Sequence, residues 1–115
     1  MATIHIPESG ASSGLRVVAA RQSELSKLCR EFQILRLELF GSAMNSTFDS
    51  DHSDFDFLVE FEPRPAGDYA TAFFEFKESL ERLFDRPVDL VVASAIRNPY
   101  FRRSIERSKA LLYAA

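Results

Sequence analysis

The sequence predicts an α+β domain, a small mixed sheet with helices packed on it, and three patterns carry that prediction. The segments "ILRLELF" and "DFDFLVEFE" alternate apolar and polar residues with the period of half-buried strands. The stretches 15–32 and 69–83 instead carry apolar residues at helical spacing. These elements run helix, strand, strand, helix, strand, helix, with a last short strand, and a sheet covered by helices buries all their apolar faces together.

Residues 1–14, "MATIHIPESGASSG", alternate briefly at Ile4 and Ile6 and then give way to Pro, Gly and Ser. They read as a tail with a short strand, linked flexibly to a domain over 15–115. Leu15, Val18, Leu25, Leu28, Cys29 and Phe32 then mark one amphipathic helix. In the first strand Leu35, Leu37 and Leu39 oppose Arg36 and Glu38, and Gly41 ends it. Residues 42–53 are small and polar, a loop with room for a short helical turn. In the second strand Phe55, Phe57, Val59 and Phe61 face one way, and Asp54, Asp56, Leu58, Glu60 and Glu62 the other. "PRPAG" is a turn, and Asp68 is placed to cap a helix carrying Tyr69, Phe73, Phe76, Leu80 and Leu83. "RPVDLVV" is a short strand. Asn98 as cap with Pro99 at the first helical position starts the next helix, and "ALLYAA" closes the chain as a strand.

Composition narrows the function classes. A chain of 115 residues with 46% apolar content has enough material for one ordinary core. A net charge of −3 argues against a dedicated nucleic-acid-binding module, which would be basic. Cys29 is the single cysteine, so no intramolecular disulfide forms and a reducing compartment is expected. No apolar run approaches the roughly 18–20 residues of a membrane span, and the N-terminus lacks a signal-peptide core. The expected location is cytoplasmic, without membrane contact.

The chemistry lies in "LFGSAMNSTFDSDHSDFDFLVE". Side chains at i and i+2 of a strand point the same way, roughly 6.5–7 Å apart, so Asp54 and Asp56 present two carboxylates on one face. Asp89, between Val88 and Leu90, also faces away from the buried side. If the two strands are neighbours, three carboxylates converge, which is costly unless a cation neutralises them. All-oxygen ligands favour Mg²⁺ or Mn²⁺ over zinc, and Mg²⁺ completes its shell with water and phosphate oxygens. Gly41 and Ser42, at a strand end, offer backbone N–H groups and a hydroxyl suited to a phosphate.

On "LFGSAMNSTFDSDHSDFDFLVEF" followed by "RPVDLVV", the chain resembles the minimal nucleotidyltransferases (MNT domains) of the polymerase-β-like superfamily, over about residues 23–115. The resemblance implies that superfamily's fold, with Asp54 and Asp56 as metal ligands. Asp89 would be the third carboxylate and an aid to deprotonating the acceptor, while Gly41 and Ser42 hold the β- and γ-phosphates. It implies Mg²⁺ as cofactor and ATP as substrate, with AMP transferred and pyrophosphate released. Several family members are antitoxins that bind and AMPylate a HEPN-domain ribonuclease toxin on a tyrosine. Many members carry an arginine shortly after the Gly-Ser step, whereas "AMNSTF" has none; Arg102, Arg103 and Arg107 of the last helix are candidates to supply that charge, and nothing in the sequence places them at the site.

A chain of this length leaves little room for an acceptor-binding domain, so the acceptor is expected on another protein, with a HEPN-type toxin as the leading partner. The alternative is a catalytically weak or inactive antitoxin that neutralises its partner by contact. A third reading is an oligomer whose neighbour completes a small-molecule acceptor site. A calcium loop over "DSDHSD" is rejected: the position needing glycine holds Asp54, and residues 55–62 alternate as a strand. His5 and His52 are too isolated for a zinc site, and Cys29 falls on an apolar helical face.

Overall fold

The computed structural model describes residues 2–3, 13–44 and 54–115, and its organising element is β3 (Phe55–Phe61). Phe55, Phe57 and Val59 are fully buried on one face of this strand, with Phe61 nearly so, while Asp56, Leu58 and Glu60 take the other. On one side β3 pairs antiparallel with β2 (Ile34–Phe40), and on the other it pairs parallel with β4 (Val88–Val92). β5 (Ala110–Ala114) lies antiparallel on the free side of β2, and β1 (Ala2–Thr3) pairs antiparallel with β5. The sheet order is β1-β5-β2-β3-β4.

A parallel neighbour requires a crossover, and α3 (Tyr69–Phe84) supplies it. It buries Ala72, Phe76, Leu80 and Phe84 against the phenylalanine face of β3, where the Phe84 ring lies 5.1 Å from Phe55 and 5.9 Å from Phe57. α1 (Ser13–Ala19) and α2 (Gln22–Glu31) complete this layer through Val18, Leu25 and Cys29. α4 (Pro99–Arg107) covers the opposite face, packing Ile105 against Phe40 and Leu58. Asn98 Oδ1 accepts from the backbone N–H of Tyr100 at 2.8 Å and of Phe101 at 3.3 Å, the capping that the Asn-Pro start predicts. Among the described residues, no helix is long and apolar enough to cross a membrane.

Four local expectations change. The single helix over 15–32 is two helices separated at Ala20 and Arg21. Neither residue breaks a helix by propensity; α1 packs on the 3-10 turn Gly41–Met44 while α2 packs on β2 and α3, and the chain bends to follow both surfaces. Leu35, expected inside, is 44% exposed, because a register irregularity between Ile34 and Arg36 turns Ile34 inward instead. Asp68 makes no capping hydrogen bond: it closes a 3-10 turn, Ala66–Asp68, with φ −91° and ψ −15°, already helical where a cap residue is extended. Glu38, placed on the polar side, is buried by α4 and the segment after it, and is paired with Lys109 at 3.0 Å and Arg36 at 3.4 Å.

Cys29 is fully buried, and burial pushes its thiol up to about 12. A thiol reagent at neutral pH is therefore expected to label the native protein more than about a hundredfold more slowly than the urea-unfolded chain. Equal rates would place Cys29 at the surface.

Candidate active site

The parallel ladder places Asp56 of β3 directly opposite Asp89 of β4, on the face covered by α4. The two carboxyls lie close enough to interact, and Asp54 lies just before the strand. Burial, the contact with Asp89, and the charges of Asp89 and Asp54, in that order of weight, push the Asp56 carboxyl up to about 6. The start of β4 is pinned to hold this register. The Val88 N–H donates to Glu81 Oε2 at 3.0 Å, and Lys77 Nζ donates to the same oxygen at 3.2 Å. The Val88 bond, then Lys77, lowers the Glu81 carboxyl below its usual range. The Phe55 N–H donates to the Pro87 carbonyl at 3.3 Å, and the Arg86 guanidinium lies 4.6 Å over the Phe55 ring.

Phe40, the last residue of β2, pairs with Asp56, so Gly41 begins its turn beside the carboxylate pair. Gly41 has φ +76°, and a Cβ there would overlap Asp56 Oδ2 and sit 3.0 Å from its Cγ. Both the backbone conformation and the close approach require glycine. The turn that follows brings Ser42 to one side of a cleft of about 460 Å³. Gly41, Ser42 and Asp56 line the strand side, and Phe101, Ser104 and Ser108 line the α4 side. An apolar cleft of about 450 Å³ beside Phe61, Tyr69 and Phe73 lies toward the opposite end of β3 and contains no such carboxylate pair.

Two adjoining carboxylates must keep a proton between them or take up a cation. The donor set here is oxygen only, and Mg²⁺ typically uses one or two carboxylates with phosphates completing its shell, so the Asp56–Asp89 pair fits that ion. Among the described residues, no three His, Cys, Asp or Glu side chains are grouped closely enough to hold a metal ion. Asp54 thus acts on the pair by charge from a greater distance in this arrangement.

Of the residues singled out in the sequence, the structure brings together Gly41, Ser42, Asp56 and Asp89, with Asp54 at the margin. His52 lies outside the described residues. Arg102 is turned away, donating to the carbonyls of Ile96 at 3.0 Å and Ala93 at 3.4 Å. Arg103 stacks over Tyr100 at 5.2 Å, and neither it nor Arg107 lines the cleft. The α4 wall was not foreseen. Phe101, Ser104 and Ser108 stand at i, i+3 and i+7, a face readable in the sequence but not assignable to a site without knowing where the helix docks.

Residues 23–112 match the family model described as nucleotidyltransferase domain. Two proteins of Methanocaldococcus jannaschii, both named as proposed protein adenylyltransferases, are similar in sequence. One is 39% identical over 79 residues, covering 69% of this chain and 76% of the relative. The other is 32% identical over 76 residues, covering 66% and 74%. A solved structure of a proposed minimal nucleotidyltransferase matches with a TM-score of 0.65 at 29% identity, over 88% of this chain and 96% of that one. The fold is also that of an MNT antitoxin solved with the tri-AMPylated HEPN toxin of Shewanella oneidensis (TM-score 0.58, 20% identity, 84% of this chain and 71% of that one).

Proposed function

The chain belongs to the nucleotidyltransferase domain family, and from that premise we propose that it transfers AMP from ATP to a hydroxyl of a protein acceptor, a HEPN-domain toxin that it thereby neutralises. Residues 15–115 form the catalytic unit. Asp56 and Asp89 would hold Mg²⁺, with Asp54 adding its charge from the margin of the pair; when bound, the ion supplies the positive charge that the triphosphate and the carboxylates both require. The Ser42 hydroxyl and the N–H groups of the Gly41–Met44 turn bind β- and γ-phosphate oxygens. Asp89, the more exposed of the paired carboxylates, accepts the proton of the acceptor hydroxyl. That oxygen bonds to the α-phosphorus, the bond from phosphorus to the α–β bridging oxygen breaks, and pyrophosphate leaves. The observation that carries this reading is the Asp56–Asp89 pair set by strand register beside a turn that only glycine can make. The adenylyltransferase names of the two relatives support the protein acceptor.

ATP labelled on its α-phosphate is expected to label a HEPN-domain toxin in the presence of Mg²⁺, and γ-labelled ATP is expected to leave it unlabelled. Transfer of the γ-label, or no transfer from either, would count against nucleotidyl transfer. A second reading is favoured by the cleft lining, which among the described residues includes no lysine or arginine. In it, the chain is a weak or inactive enzyme that neutralises its partner by contact, and neutralisation survives loss of the carboxylates.

A further inference from the structure

We propose that α4 forms the nucleobase wall of the cleft, with the Phe101 ring as the surface on which the base stacks; this rests on the nucleotidyltransferase reading above. Phe101 is 41% exposed, although its ring meets Phe40 edge-on at 6.2 Å and 74°. Phe40 immediately precedes Gly41, so one part of the ring is anchored at the start of the glycine turn and the rest is left to the cleft. A half-exposed aromatic ring in a concave site that also carries hydroxyls is the composition of a small-molecule pocket rather than of a core.

Charge points the same way. Among the described residues, the cleft lining offers the phosphates a hydroxyl and backbone N–H groups but no cationic side chain, since Arg102 is spent on the turn before α4 and Arg103 on Tyr100. A cleft whose described lining carries no phosphate-binding arginine depends more on what it gains from the base. The wall is also held rigidly enough to serve. The Asn98 cap fixes the N-terminus of α4 at Tyr100 and Phe101, Ile105 is buried at its centre, and the Lys109–Glu38 ion pair holds the chain just beyond its end. A stacking surface fixed before binding loses little freedom when the ligand arrives. Ser104 and Ser108, on the same helical face, extend the wall with hydroxyls beyond the ring.

The test compares binding of ATP with binding of inorganic tripolyphosphate, both with Mg²⁺, in the wild type, Phe101→Ala and Phe101→Tyr. Phe101→Ala is expected to weaken ATP binding about tenfold or more, the scale of one lost stacking contact, and to leave tripolyphosphate within about twofold. Phe101→Tyr is expected to restore ATP binding. Equal loss of both ligands in Phe101→Ala would mean a distorted cleft and overturn the base wall, as would unchanged ATP binding. A wild type that binds neither ligand would remove the nucleotidyltransferase reading and the base wall with it. Normal binding of ATP by both wild type and Phe101→Ala would remove the base wall alone.

Discussion

Asp56→Asn is expected to lower AMP transfer by about a thousandfold or more, equivalent to roughly 4 kcal/mol of transition-state stabilisation. The effect should appear in kcat at saturating ATP, because in the proposed reaction the carboxylate acts at the reacting phosphate and not at the base. The same substitution should stabilise the metal-free fold. Asp56 is pushed from 3.8 up to about 6, so between those values the folded chain keeps a proton that the unfolded chain has released. Stability from this group is complete below pH 3.8 and is lost as pH rises through 6. The full shift corresponds to about 3 kcal/mol at neutral pH, and solvent screening of a partly exposed group brings it to about 1 kcal/mol. In chelator at pH 7, Asp56→Asn should therefore melt a few degrees above wild type, and the difference should shrink toward pH 4. A variant that transfers AMP at the wild-type rate removes Asp56 from the chemistry. One that melts lower at pH 7 shows that the carboxylate pair is not strained.

Phe57→Ala is expected to cost about 3–5 kcal/mol, a large part of the roughly 5–15 kcal/mol that holds a domain of this kind together. Phe57 is fully buried, with Phe84 stacked at 5.9 Å and Phe55 edge-on at 5.8 Å. Truncating it opens a cavity between β3 and α3, and neighbouring rings cannot close it without leaving their own contacts. Because Phe57 follows Asp56 on the strand, lost transfer would also come with lost fold. A urea titration separates the two substitutions: the midpoint falls steeply for Phe57→Ala and stays level or rises for Asp56→Asn. A midpoint loss under about 1 kcal/mol for Phe57→Ala would mean that the core repacks freely around this position.

The strands were legible because alternation follows from covalent geometry. Successive side chains of an extended chain point to opposite faces, so Phe55, Phe57, Val59 and Phe61 had to share one face and Asp56 the other. The start of α4 was equally local, since Asn98 and Pro99 meet the hydrogen-bonding needs of a first turn wherever the helix docks. The bend between α1 and α2 was not legible. Nothing at Ala20 or Arg21 resists a helix, and the division answers surfaces that lie elsewhere in the chain. Leu35 shows the same limit, because a slip in the pairing of β2 with β3 reverses the side that alternation assigns.

Within the site, the sequence by itself determined which groups exist and which way each faces its own strand: Gly41 and Ser42 after β2, Asp54 and Asp56 at the start of β3, and Asp89 in β4. That Asp56 meets Asp89, that Gly41 presses against Asp56, and that Phe101 closes the cleft was decided only by tertiary structure. The direction of a side chain is set within a residue or two of backbone. The register between strands more than thirty residues apart, and the docking of a helix across them, are set by how the buried phenylalanines and Ile105 pack.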